Sequence, residues 1–272
     1  MKAIIMAAGV GSRLKEINGD RPKCLIEAGG VTLISRSVSL LRSRGITDIT
    51  VITGYKSELI HQELQSRVKY LHNPYFQVTN SIASLWLARD LLNDDVILMN
   101  ADLYYVDAVL DTAIAQTGSA VMLSDCTRID DADFRFGVRG DCILKTGNKL
   151  SNQETDCEYV GIVRIDKSFI AEFTRRLEEM IVRGDFRNWW EGVLYAFIDD
   201  GFDIFHKDVD GAFWTEVDHL GDYNRLVQWS QSHDPEPITA TVRGRLSQSS
   251  LEAMLNPQRQ DQQEEAAVHG VS

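Results

Sequence analysis

The sequence predicts an α/β fold, a Rossmann-like doubly wound mixed sheet within a single domain. Two observations carry that reading. Short, continuously apolar runs end in glycine or polar residues, as strands buried on both faces do, and they alternate with segments whose apolar residues recur at helical spacing. A later stretch changes to short strand candidates among polar turns, which adds an antiparallel part to the sheet.

Taken in order, Lys2–Ala8 is the first apolar run and closes on Gly9. A long Gly-rich polar segment, Gly9–Gly30, follows it. Thr32–Arg44 reads as a helix with Ile34, Val38 and Leu41 on one face and Gly45 at its end. Ile46–Thr53 is the next strand, Ser57–Gln65 a helix and Arg67–Leu71 a strand. Ser81–Leu92 reads as an amphipathic helix capped by Asn80, and Val96–Met99 as a fourth strand that runs into Asn100-Ala101-Asp102. In such a sheet ligands sit beyond the carboxyl ends of the strands.

From Ala120 to Ile165 the strand candidates are Ala120–Ser124, Phe136–Arg139, Cys142–Thr146 and Tyr159–Ile165. Asp166–Arg183 is a long amphipathic helix, and Trp190–Ile198 another. Phe202–Phe205 and Phe213–Val217 read as strands, and Gly221–Ser230 as the last helix of a domain spanning 1–233. Residues 234–272 turn polar and Gln-rich, which predicts a partly disordered appendage with one short helix near Ser250–Leu255.

Composition narrows the function classes. The chain has 272 residues, 44% hydrophobic and 25% charged, with a formal net charge of -12. Such an acidic surface repels phosphate backbones and anionic membranes, so neither nucleic acid nor membrane is an expected partner. A small anionic substrate is still accessible to a local cluster of cations and backbone N–H groups. Cys24, Cys126, Cys142 and Cys157 show no C-x-x-C pair and read as reduced thiols. The first apolar stretch is too short for a secretory signal and no run could span a membrane, which leaves a cytoplasmic location as the expectation. Composition says nothing of the oligomeric state.

The chemistry is concentrated in Ala7-Ala8-Gly9-Val10-Gly11-Ser12-Arg13-Leu14 and, shortly after, Arg21-Pro22-Lys23. Glycines behind a buried strand let the backbone approach a phosphate, and Arg13 and Lys23 supply positive charge. Leu14 stands where a dinucleotide fingerprint needs a third glycine, and no Gly-Lys-Ser/Thr follows as in a P-loop.

The combined pattern resembles the sugar-phosphate-type nucleotidyltransferases, whose signature runs Ala-Ala-Gly-x-Gly-Ser/Thr-Arg-Leu, then a short loop, then Pro-Lys. The resemblance implies the nucleotide-diphospho-sugar transferase type of fold. It also implies direct attack of an acceptor phosphate on the α-phosphate of a nucleoside triphosphate, with release of pyrophosphate. Ala8, Gly9, Gly11 and Ser12 would then bind the nucleotide, while Arg13 and Lys23 serve as catalytic cations, Arg13 toward the departing pyrophosphate. Asp102 and Asp218 match the family's metal-binding carboxylates, with Glu216 a competitor for the second place. Two carboxylates with phosphate oxygens and water suit Mg2+.

The segment His72-Asn73-Pro74-Tyr75 through Asn80-Ser81-Ile82-Ala83-Ser84-Leu85 is similar to that of bacterial CTP:phosphocholine and phosphonate cytidylyltransferases. By that resemblance Asn80, Ser81 and Ser84 contact cytosine and ribose of CTP. Lys149 would neutralise the acceptor's phosphate or phosphonate, and Glu158 would bind a cationic head or shape its pocket. Trp189 and Trp190 are candidates for an aromatic wall, although adjacent helical residues do not share a face, so one of the two is expected to line it. Phosphocholine, aminoethylphosphonate and related phosphonates are the implied acceptors. Two alternatives stay open: a hexose-1-phosphate nucleotidyltransferase using UTP or dTTP, and a nucleotide-binding protein without catalysis.

Overall fold

The computed structural model describes residues 1–11 and 14–233, with the side chains of residues 15 and 16 excepted. The expectations for Ser12, Arg13, the 234–272 appendage and its Ser250–Leu255 helix therefore lie outside the described residues. The first half runs β1 (Lys2–Ala7), α1 (Lys15–Asn18), β2 (Glu27–Ala28), β3 (Val31–Thr32), α2 (Leu33–Ser43), β4 (Ile49–Thr53), α3 (Ser57–Leu64), β5 (Lys69–His72), α4 (Ser81–Leu87), β6 (Val96–Asn100), β7 (Leu103–Tyr105) and α5 (Asp107–Ala115). The second half runs β8 (Ala120–Asp125), β9 (Arg135–Arg139), β10 (Cys142–Gly147), β11 (Cys157–Ile165), α6 (Ile170–Val182), α7 (Gly192–Asp199), β12 (Phe205–Asp208), β13 (Trp214–Glu216) and α8 (Leu220–His233).

Nine strands form one mixed sheet in the order β5-β4-β1-β6-β11-β8-β12-β10-β9. β5, β4, β1 and β6 are parallel, and β11 enters antiparallel between β6 and β8. The apolar run of β1 is explained by this placement. Ala3, Ile5 and Ala7 pack on one face with Val38 and Leu41 of α2, Ile60 of α3 and Val109 of α5. Ile4 and Met6 pack on the other with Ile82 of α4, Phe173 of α6 and Phe197 of α7. Helices thus cover both faces, as a largely parallel sheet requires, because each face would otherwise expose apolar side chains to water.

Three features depart from the sequence expectations. The Gly-rich polar segment Gly9–Gly30, to which the sequence assigned no element, holds α1, a 3-10 turn at Lys23–Leu25 and β2, whose hairpin partner β3 follows it; these elements are too short to show periodicity. The helix after Asn80 ends at Leu87 and continues as a 3-10 turn at Arg89–Leu91, and the expected strand Phe202–Phe205 forms three residues later as β12. Finally, Cys126 and Cys157 are joined in a disulfide, correcting the expectation of four reduced thiols; Cys24 and Cys142 are free. Pairing of β8 with β11 brings the two together although 31 residues separate them, a proximity that local spacing does not express. Among the described residues no helix is long and apolar enough to cross a membrane.

Candidate active site

β1, β4 and β6 end at the same edge of the sheet, and the antiparallel β11 begins there. Beyond that edge lies a cavity of about 590 Å³. Strand order places it at the switch point of the doubly wound part, where neighbouring loops diverge and leave a crevice.

One wall is the segment after β1, with Ala8, Gly9 and Gly11 facing the cavity beside Lys23. Gly11 has φ 62°, and a Cβ there would lie 2.6 Å from the Cβ of Lys23, so only glycine lets the two segments close together. Asn18 holds the second segment by donating its side-chain amide to the carbonyls of Arg21 (3.2 Å) and Pro22 (2.7 Å). Gly54 at the end of β4 is just as confined: a Cβ would meet the Ala8 carbonyl oxygen at 2.6 Å. The loop therefore rests directly on backbone.

Asp102 follows β6, and Asp218 follows β13. Their meeting is arranged by a two-stranded ladder in which Leu103 faces Glu216 and Tyr105 faces Trp214, extended by Val217 N–H donating to the Asp102 carbonyl at 3.0 Å. Carboxylate oxygens of Asp102, Glu216 and Asp218 lie within 4.8 Å of one another. The structure thus unites Glu216 with Asp218 rather than choosing between them. Asp222, in the first turn of α8, anchors this corner by accepting from the backbone N–H groups of Asp218 (2.8 Å) and His219 (2.7 Å). Lys23 Nζ lies 2.6 Å from Asp102 and also pairs with Asp218. Burial, followed by the charge of Asp102, pushes the Glu216 carboxyl well above the usual range. Three oxygen donors of this kind suit a hard divalent cation.

A second wall is formed by the start of α4. Asn80 caps the helix through its Oδ1, which accepts from Ser81 N–H at 2.7 Å. Ser81 Oγ accepts from Trp190 N–H at 2.9 Å, and Ser84 Oγ from Asn73 Nδ2 at 2.9 Å. Asn80, Ser81 and Ser84 all face the cavity, together with Asn73 and Thr79.

A third part of the lining is aromatic and acidic. Phe134 stacks on Tyr195 with centroids 4.7 Å apart and meets the edge of Trp189 at 6.0 Å. Tyr159 and the buried Glu191 also line the cavity, while Phe76 lies beside Gly54 and the Ala8 carbonyl on the first wall. Glu191 accepts from Asn100 Nδ2 at 3.3 Å, and burial pushes its carboxyl up to about 7.

The remaining candidates fall as follows. Trp189 lines the cavity, whereas Trp190 is fully buried and donates its indole N–H to Asn100 Oδ1 at 2.9 Å. Glu158 does not line it: the side chain accepts from Asp133 N–H at 2.9 Å and pairs with Arg128 at 3.1 Å, holding the loop that carries Asp133 and Phe134. Lys149 is exposed, and its neighbour Asn148 lines the cavity instead. Tyr195 and Asn100 received no role from the sequence. A signal for Tyr195 existed, since it lies four residues after Glu191 and so shares its helical face. Asn100 could have been noticed as a polar residue ending an apolar strand.

A glycine-rich backbone loop, a lysine among carboxylates and a polar wall at the sheet's switch point define a nucleotidyltransferase. Residues 3–126 match the MobA-like NTP transferase domain family. The fold superimposes on the solved CTP:phosphocholine cytidylyltransferase of Streptococcus pneumoniae with a TM-score of 0.70, 23% identity and coverage of 84% of this chain and 98% of that one. The CTP:phosphoglutamine cytidylyltransferase of Campylobacter jejuni is 26% identical across 84% of this chain and 100% of its own length. The CMP-5'-(3-aminopropyl)phosphonate synthase of Streptomyces rubellomurinus is 32% identical across 90% of this chain and 41% of its own length. The chain is a nucleotidyltransferase similar to relatives named as cytidylyltransferases.

Proposed function

We propose that this enzyme transfers CMP from CTP to the phosphate or phosphonate oxygen of a small acceptor with a cationic head group, releasing pyrophosphate. The observation that carries the reading is that one cavity holds a phosphate loop with Lys23 and the Asp102 cluster and, joined to that cluster through Asn100, Glu191 beside the aromatic lining of Phe134, Trp189 and Tyr195. An aromatic wall with a buried carboxylate is the environment that favours an amine or a quaternary ammonium, because ring faces and carboxylate both attract positive charge.

The proposed roles follow from placement. Backbone N–H groups from Ala8 to Gly11 and the Lys23 ammonium receive the triphosphate; Arg13, outside the described residues, keeps the role toward the departing pyrophosphate that the family resemblance implies. Asn80, Ser81 and Ser84 offer donors and acceptors matched to the carbonyl and amine of cytosine. Asp102 and Asp218, with Glu216, would hold Mg2+, which when bound neutralises phosphate charge. Attack is in line: an acceptor oxygen forms the new bond to the α-phosphorus as the bond to the pyrophosphate oxygen breaks. The protein contributes positioning and charge rather than a nucleophile, so no covalent enzyme intermediate forms.

The test is pyrophosphate release over CTP, UTP, dTTP, ATP and GTP against phosphocholine, phosphoglutamine, aminoethylphosphonate and glucose-1-phosphate. Turnover confined to CTP with an amine- or ammonium-bearing acceptor is expected. Preference for glucose-1-phosphate with UTP or dTTP would overturn the reading, and CTP binding without turnover on any acceptor would favour a non-catalytic protein.

A further inference from the structure

Cys126, Cys157 and His206 form a second cluster of metal-ligating side chains, with one donor atom from each lying within 4.8 Å of the others. None of the three lines the nucleotide cavity. They come from different places in the chain: Cys126 directly follows β8, Cys157 opens β11 and His206 lies on β12.

The surroundings of His206 go beyond what chance proximity supplies. Its Nε2 faces the Gly140 carbonyl at 3.1 Å, and only an N–H can make that hydrogen bond. In the neutral ring Nδ1 then carries a lone pair, which accepts the Ser124 hydroxyl at 2.8 Å. A backbone carbonyl that fixes one ring nitrogen as donor is the usual way a histidine presents its other nitrogen to a metal. Cys126 is also held, by its N–H donating to Asp208 Oδ1 at 3.2 Å. Cys157 is buried, while Cys126 and His206 are partly exposed, which gives a route from solvent.

We propose that Cys126, Cys157 and His206 are a redox-governed site for a thiophilic d10 cation of the Zn2+ class. In the oxidised form the sulfurs are joined to each other. A dithiol reductant donates two electrons and two protons: the protein S–S bond breaks to give two thiols, and the reductant closes into its own disulfide. Zn2+ then displaces both thiol protons, forming two Zn–S bonds of about 2.3 Å and a bond to His206 Nδ1 in place of the Ser124 hydroxyl, with water at the fourth position. Either cross-link pins the start of the 126–134 segment, whose far end carries Asp133 and Phe134 of the cavity wall.

The experiment is a Co2+ titration of the full chain, reduced and kept free of oxygen, with Zn2+ added afterwards. Expected are a sulfur-to-cobalt charge-transfer band that saturates at one sulfur-ligated Co2+ per chain and that Co2+ held by the Asp102 carboxylates cannot give, its loss on adding Zn2+, and no band in the disulfide form. Cys126→Ser and Cys157→Ser should each abolish the band, and His206→Asn should weaken binding at least about tenfold. Asp102→Asn and the Cys24→Ser/Cys142→Ser double variant should retain it. His206→Asn leaves both sulfurs in place, so it tests the site even where a cysteine variant fails to fold. Absence of the band in reduced protein, its survival in Cys126→Ser, or unchanged affinity in His206→Asn would overturn the proposal.

Discussion

Lys23 Nζ stands 2.6 Å from Asp102 Oδ2 and pairs with Asp218 as well, so the lysine of the signature loop bridges the carboxylate cluster. Lys23→Ala leaves those carboxylates facing one another. Because all three side chains are only partly screened from water, the loss should be moderate, about 2 kcal/mol. In thermal unfolding the variant should show a lower Tm than wild type in EDTA, and Mg2+ should recover more of that loss than it adds to wild type. A variant insensitive to Mg2+ would contradict the shared site.

Asp102→Asn and Asp218→Asn keep size and packing while removing charge. Each should lower kcat roughly 10²- to 10³-fold with unchanged far-UV circular dichroism, since the carboxylates act on the phosphates rather than on the core. Steady-state pyrophosphate release measures this directly.

Glu191 should make acceptor binding depend on pH. Burial raises its carboxyl to about 7, so the group is neutral below that pH and attracts a cationic head only above it. KM for a cationic acceptor should fall as pH rises from 6 to 8, and Glu191→Gln should flatten the profile while raising KM. The same shift bears on stability with a definite sign. The folded state keeps a proton that the unfolded chain releases above its ordinary value near 4.5, so this residue's contribution to stability declines from there to about pH 7. Denaturant midpoints of wild type and Glu191→Gln should diverge over that window.

Trp190→Phe retains most of the buried apolar area but removes the indole donor to Asn100. Asn100 also reaches Glu191 and Glu216, at 3.3 and 3.4 Å, so the loss should disturb both carboxylates. A decrease in stability of about 1–2 kcal/mol with a rise in acceptor KM is expected, measured by urea unfolding and initial rates.

Gly11→Ala forces a Cβ to within 2.6 Å of the Lys23 Cβ at a φ of 62°. Displacement of the loop should raise KM for CTP at least about tenfold and leave a folded protein, readable by comparing CTP saturation with circular dichroism.

The legibility of this chain was uneven for physical reasons. β1 and β6 were readable because strands buried on both faces must be apolar throughout, and α2 because its inward face repeats at helical spacing. The phosphate loop was readable because its chemistry is local in sequence. The Asp102–Asp218 meeting was suggested only by family resemblance, since it depends on a ladder between strands 109 or more residues apart. The Cys126–Cys157 link and the burial of Trp190 were not readable, because strand order decides both. Whether Glu158 would touch the acceptor or shape its pocket, and which way the exposed Lys149 would point, was not readable because residue type announces charge and says nothing of direction.

Under the proposed function the Lys23 bridge would make nucleotide entry an exchange of counter-ions rather than an accumulation of charge. Asp102 and Asp218 would hold the cation and Lys23 would turn from them to phosphate, leaving the local field little changed between the empty and the filled cavity. A chain of net charge -12 would otherwise oppose an anionic substrate more strongly as salt is diluted. Affinity for the magnesium-nucleotide pair should accordingly be almost indifferent to ionic strength, with the long-range repulsion of the surface expressed in the association rate instead.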